Sequence, residues 1–374
     1  MSSKNIVLFF AFIFMLSCSN VQDEGLDVIW EGKSYTFSYL KPTKKQPDRH
    51  RIWKKHELDP VFTIDDSLSL NLFQPQTFNL DKSNNIHILD VSDGKIKIYD
   101  SDGEFLAVKG GGLGRGPGQF SFPYDFSIDT VGRYYIVDLN TKMLTSLDSS
   151  GEFRWQKLFK LITPGTINSN STNKVLVSIA GPTSTLFQSF DLDGKLINEY
   201  PSFLKRPPEL PSTLNPFGLP MLGETIENDN GYIFVPRYFP QLIYYDSNGN
   251  VIKEVSTIDS ISSNPVLNVA NKNGYFLPED FNGKVVNHGV SHFKDLLMVW
   301  SELGNIEFGT QVFDFYQKKT GNYLYSVKIP ELGSVSQVVL KENRIYTMNY
   351  STAIIESYSF IIDSASSASP KTAF

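Results

Sequence analysis

The chain has 374 residues, a formal net charge of −6, 41% hydrophobic and 13% aromatic residues. The mild acidity gives no basis for a nucleic-acid binder, and the apolar share excludes a disordered chain. Twenty-six Gly and 20 Pro beside 28 Phe and 18 Tyr favour many short strands joined by turns.

In chain order, the first element is "MSSKNIVLFFAFIFMLSCSN". Lys4 supplies a positive start, and the apolar run Ile6 to Leu16 is too short for a comfortable membrane span. Small residues flank Cys18, the only cysteine, so no intrachain disulfide forms. The segment resembles a bacterial lipoprotein signal, with 1–17 removed and Cys18 acylated (palmitate-type) to hold the protein on a membrane. Residues 18–56 read as a tether and N-terminal segment. Within it, Lys41 to Lys55, "KPTKKQPDRHRIWKK", is strongly basic. Two readings stand for that stretch: contact with anionic head groups or lipopolysaccharide, and a solvated linker or exposed edge.

From residue 57 a repeat emerges. Asp-x-x-Gly closes four similar segments: "IKIYDSDGEF", "LTSLDSSGEF", "FQSFDLDGKL" and "LIYYDSNGNV". A fifth, "DFYQKKTGNY", has Lys318 in place of the Asp and keeps Gly321. Asp bonds the backbone two residues on, and Gly supplies positive φ. Upstream of each lies another apolar strand, "IHILD" and "YYIVD" being the clearest. A last unit holds "RIYTM" and "AIIESYSFII" without a closing glycine turn. Four strands per unit at this spacing predict an all-β, six-bladed β-propeller of antiparallel blades over 57–363. The last blade shows only three strands, so a strand near Val61 to Ile64 is expected to complete it and close the ring. Residues 364–374 are expected to be a disordered tail.

"KGGGLGRGPGQFSFP", Lys109 to Pro123, lacks the spacing of a phosphate-binding or dinucleotide-binding loop. It reads as the passage from the outer strand of blade one to the inner strand of blade two, with Arg115 its one side chain able to meet a ligand.

The pattern D-x-x-G-x-F, then G-x-G-x-G-P-G-x-F-x-x-P, then I-x-x-D-x-x-G-x-x-Y-I-V-D, is similar to NHL-type repeats. With the signal, the chain resembles the six-bladed β-propeller lipoproteins of Bacteroides-type bacteria. That resemblance implies a fold more firmly than an activity, and it implies an outer-membrane location.

In such a ring the b–c loops and the connectors between blades share one face, and the Asp-x-x-Gly turns lie on the other. Long connectors and irregular loops gather on the first face, where binding usually resides. The candidate ligand-binding residues there are Arg115, Arg206, Arg237, Tyr238, Phe239, His288, Trp300 and Glu302, with Arg237, Tyr238 and Trp300 expected near the channel mouth. Phe217, Tyr275 and Phe276 belong to the same rim. The same aromatics have a plainer role available, packing the loops onto the blades.

Catalytic signals are sparse. His288 and His292 form H-x-x-x-H, but on a strand residues four apart are roughly 13 Å apart, too far to share a metal. His288 has the option of facing the central channel. No cofactor and no metal is expected. The expected function is a binding or assembly protein that captures a glycan, peptide or protein partner. The alternative is a metal-dependent, lactonase-like hydrolase or lyase with its site in the channel, for which Asp125, Asp129 and His288 are the available groups.

Overall fold

The computed structural model describes residues 25–39, 41–48, 50–65, 72–160, 163–169, 173–180, 185–210, 223–229, 231–259, 266–268, 285–302 and 310–362. Cys18, the signal, Phe217, Tyr275, Phe276 and the tail lie outside them.

The fold is a six-bladed propeller. Five blades are consecutive four-stranded antiparallel sheets. Their inner strands are Pro75–Leu80, Pro123–Ile128, Thr163–Ser169, Gly223–Asn228 and Asn287–Phe293. The sixth blade contains Gln337–Lys341, Arg344–Asn349 and Ile354–Ile362, and its outer strand is His56–Ile64 from the N-terminal side. The ring therefore closes as expected, with a closing strand five residues longer than Val61 to Ile64 at its N-terminal end. Pro60 sits in this edge strand beside a register shift, a setting in which proline is tolerated.

Six apolar clusters hold the ring together, one at each junction between neighbouring blades. Ile98 and Phe126 meet between blades one and two, and Val255 and Val299 between blades four and five. Phe315 and Phe360 stack between blades five and six, with ring centroids 6.4 Å apart.

The Asp-x-x-Gly turns form as their chemistry requires. Asp148 Oδ1 accepts the N–H groups of Ser150 and Glu152, and Asp100, Asp191 and Asp246 do the same in their own turns. The glycine has a second reason to be there. A Cβ on Gly151 would stand 2.8 Å from Lys109 Cβ and 2.9 Å from the Gly110 nitrogen, in the blade before it. The turn glycines of the other blades likewise abut the preceding blade, Gly103 against Phe62 and Gly194 against Trp155. Each turn is thus a blade-to-blade contact as well as a chain reversal.

The glycine-rich stretch is the blade-one to blade-two passage. It folds back on itself: Phe120 N–H donates to the Gly112 carbonyl, and Gly114 N–H to the Phe120 carbonyl. Gln119 Oε1 fills the space a side chain on Gly114 would need, 2.2 Å from its Cβ position, and accepts the Gly116 N–H. Phe120 drops into the core between the two blades.

The N-terminal segment departs from the tether reading. Gly25–Trp30 and Lys33–Tyr39 form a hairpin in a seventh sheet. The hairpin pairs with two connector segments, Leu204–Lys205 antiparallel and Val266–Asn268 parallel. Because both connectors run between blades on the loop-rich face, the hairpin caps that face over blades three and four. Its Val28 and Phe37 pack with Phe203, Leu204 and Tyr238. The basic stretch is a strap rather than a solvated linker. Lys44 N–H donates to Glu254 and its carbonyl accepts Ser256, along the outer edge of blade four. Lys54 and Ile52 do the same with Ser326 on blade five. Arg51 Nε and Nη2 donate to the two oxygens of buried Asp314, each at 2.8 Å, and Nη2 also reaches Asp259 at 2.5 Å. The free edges of two outer strands are thereby covered, which explains why so polar a segment is ordered.

Candidate functional site

Six inner strands enclose a central channel of about 400 Å3, lined by residues from every blade, including Asn79, Asp125, Asn168, Glu224, His292 and Gln337. Each junction around it is tied by a side chain bonded to the next strand's backbone. Asn79 Nδ2 donates to the Phe126 carbonyl, and Asn168 Nδ2 to that of Thr225. Asp125 Oδ2 accepts Ile167 N–H at 2.9 Å, and Glu224 Oε2 accepts Val290 N–H at 2.8 Å. Ser291 Oγ bridges both backbone groups of Leu340, and Gln337 both of Phe78. The inner edge of an inner strand has unpaired backbone groups, and these six ties satisfy part of that need.

Asp125 and Glu224 lie deep in the ring and present part of their surface to the channel. Burial pushes both carboxyls up to about 7, against the backbone N–H groups that favour the ionised forms. Glu224's charge raises Asp125 further, and Arg237 works the other way on Glu224. At the opposite end, burial and then Lys318 and Lys341 push His292 down to about 4, and its Nδ1 faces Lys318 Nζ at 3.3 Å.

The loop-rich end of blades four and five carries the other unusual feature. Among the described residues, nine buried side-chain N or O atoms lack a hydrogen-bond partner. Six belong to residues at this end: Arg237 Nε, Gln241 Oε1 and Nε2, Thr257 Oγ1, Asp259 Oδ2 and Asn287 Oδ1. Buried polar groups are normally paired, with protein or with ordered water, so this concentration makes the end a candidate site. The backbone is well fixed around it. The Arg237 carbonyl accepts N–H groups from Val286 and Asn287, and the Val286 carbonyl accepts that of Glu302. His288 packs at a tilt against Trp300, centroids 4.8 Å apart, and its Nε2 pairs with Glu302.

The structure therefore brings together four of the residues singled out by sequence: Arg237, His288, Trp300 and Glu302. Trp300 is only 7% exposed, its indole N–H bonded to Gln311. Tyr238 and Phe239 lie in the core cluster beneath the hairpin, apart from Trp300's cluster. Arg206 donates to the Leu210 carbonyl within its own turn. Arg115 is exposed on the passage between blades one and two, across the ring. His288 does not line the channel; His292, four residues further along the same strand, does. Asp129 is a turn residue that accepts N–H groups from Val131 and Arg133 and pairs with the Arg133 side chain. Among the described residues, no three His, Cys, Asp or Glu side chains converge as metal ligands. Gln241, Thr257 and Asn287 were missed by sequence reasoning; nothing in their spacing distinguishes them from ordinary strand-end polar residues.

No protein-family model matches the chain, and no curated protein matches it in sequence. Solved structures do resemble it in fold. A member of the DUF4221 family from Bacteroides vulgatus superposes with a TM-score of 0.53 at 10% identity, covering 84% of this chain and 98% of the other. A Bacteroides fragilis protein assigned to export gives 0.50 at 10% identity, covering 86% and 98%. Virginiamycin B lyase from Staphylococcus aureus also gives 0.50 at 10% identity, covering 82% and 99%. At such identity the likeness concerns the propeller fold alone.

Proposed function

We propose that this chain is a cell-envelope capture protein. A lipidated Cys18 anchors it to the outer membrane, and the loop-rich end of blades four and five binds a glycan, peptide or protein partner. The observation that carries this reading is the cluster of unpaired buried polar atoms around Arg237 and Asn287. The channel supports it by contrast, since its carboxylates Asp125 and Glu224 already serve as ring ties. Only six residues separate Cys18 from the hairpin strand beginning at Gly25. Seven steps of extended chain span at most about 25 Å, so an acyl anchor holds the hairpin and the face it caps close to the bilayer.

The test uses envelope extracts from the source cell, with the protein and glycan fractions applied separately to the immobilised full chain. An Arg237→Gln, His288→Ala variant is expected to lose roughly thirtyfold in affinity, the scale of one buried anchor. Asp193→Ala, on the opposite face, is expected to bind as the parent does. Retention of the partner by the first variant, or its loss by the second while folded, overturns the reading.

A further inference from the structure

The strap and the outer strand of blade five, Tyr323–Ile329, form a hollow on the outer wall of the ring, with Lys328 toward its loop-rich end. Its volume is about 350 Å3, and Trp53, Lys54, Lys55, His56 and Lys328 line it. The lining thus consists of one large aromatic, three lysines and a histidine. Among the described residues, the one carboxylate paired with any of them is Glu331, 3.7 Å from His56 Nε2. Lys54, Lys55 and Lys328 make no salt bridge with any described residue. Instead Lys328 Nζ stands 4.5 Å from the Trp53 ring centroid and Lys54 Nζ 4.6 Å from that of Tyr325.

Two features argue against an incidental surface. Trp53 is 43% exposed and its neighbour Ile52 53%, so an indole and an aliphatic side chain stand accessible side by side. The backbone on both sides of Trp53 is also pinned, by the bonds of Ile52 and Lys54 to Ser326, and Arg51 next to them is locked into Asp314. The indole is therefore held on a rigid support, so little ordering entropy remains to be lost when it is covered.

We propose that this hollow binds an anionic saccharide. A sugar ring lies against Trp53, and its phosphate, sulfate or carboxylate sits among the ammonium groups of Lys54, Lys55 and Lys328. Lysines are flexible point charges, suited to anions of varied geometry. The volume falls at the lower end of small-ligand sites, the size of one or two sugar rings. One indole and three lysines line this single hollow, a footprint that matches one ring and its charged substituent, and the chain's overall charge of −6 disfavours a nucleic acid.

Tryptophan fluorescence of the full chain carrying Cys18→Ala, so that no acyl chain contributes, reads the binding. The probes are a sulfated tetrasaccharide derived from heparin, neutral maltotetraose, and vesicles rich in phosphatidylglycerol. The sulfated probe is expected to saturate and to weaken as salt is raised. Trp53→Ala, and separately Lys54→Gln with Lys328→Gln, are expected to weaken it at least about tenfold, with urea midpoints unchanged. Equal binding of maltotetraose, or undiminished binding by both variants, overturns the proposal. So does vesicle binding that needs Trp53 and Lys328 while the tetrasaccharide stays inert, which makes the site a bilayer contact instead.

Discussion

Replacing Asp125 by Asn tests whether the channel ties are held at an electrostatic cost. The carboxyl stands at about 7 in the folded ring against an ordinary 3.8. A raised carboxylate favours the protonated folded state, so its stabilising effect is complete below about pH 4 and is lost as the pH climbs through about 7. At about 1.4 kcal/mol per unit, that window corresponds to roughly 4 kcal/mol. The amide avoids this loss. It also gives up something, because Asp125 accepts two N–H groups, from Ile167 and Phe126, and Asn offers one oxygen. One such bond contributes about 1 kcal/mol. Asp125→Asn is therefore expected to be about 1 kcal/mol less stable than the parent near pH 4, and more stable than it by up to roughly 3 kcal/mol at pH 8. Urea unfolding followed by tryptophan fluorescence across that range measures both. A stability difference that is the same at both ends refutes the reasoning, since it means that Asp125 is ionised as easily folded as unfolded.

Cys18→Ala is expected to move the protein from the membrane to the soluble envelope fraction; an unchanged membrane pool on immunoblots of fractionated cells refutes lipidation. Arg51→Ala leaves Asp314 and Asp259 buried without their cation, and is expected to cost about 3–5 kcal/mol in urea unfolding at neutral pH. A loss under about 1 kcal/mol, the size of a surface pair, shows that the strap is peripheral. Gly151→Ala meets both a positive φ of 95° and the neighbouring blade's backbone, whereas Gly132→Ala meets the φ alone, with its nearest neighbour 3.5 Å away. The first is expected to destabilise by at least about 1 kcal/mol more than the second in the same assay, and equal losses refute the blade-contact role.

Most of the ring was legible because its signals are local. An Asp three residues before a Gly closes its own turn, so four turns announce four hairpins before any tertiary contact is considered. The closing strand was legible by subtraction, from a last blade short of one strand. Its full length was not. His56–Ile64 is an outer strand with most positions exposed, so no hydrophobic alternation marks where it begins. The channel ties were hidden for another reason. Asn79, Asp125, Asn168, Glu224, Ser291 and Gln337 do one job with five residue types and no common spacing. At the rim, one property served two readings. Large aromatics suggest both a binding anchor and a packed core, and the structure places Tyr238 and Phe239 in the core.

The strap is where sequence reasoning had least to work with, and its energetics show why. It lies along the outer edges of blades four and five without a buried apolar stripe, so alternation cannot fix its register. Polar pins do so instead. Gln46 donates to the carbonyls of Ser256 and Gly321 and accepts Tyr323 N–H, which joins blade four to the turn of blade five. Arg51 then meets one carboxylate on blade five and another just beyond blade four. Burial, which works against its charge, is outweighed by Asp314 and Asp259, and the guanidinium stays ionised. Asp259 bears the strain, pushed by burial up to about 6 with one oxygen unpaired. A buried ion triad of this kind is a poor source of net stability, since matched apolar residues commonly do as well. Its value is directional: a bidentate fork fits one register of the strap and no other. That register delivers His56 to the start of the closing strand, which its own ladder to Ile354–Ile362 and the packing of Leu58, Phe62 and Ile64 then seal into the ring.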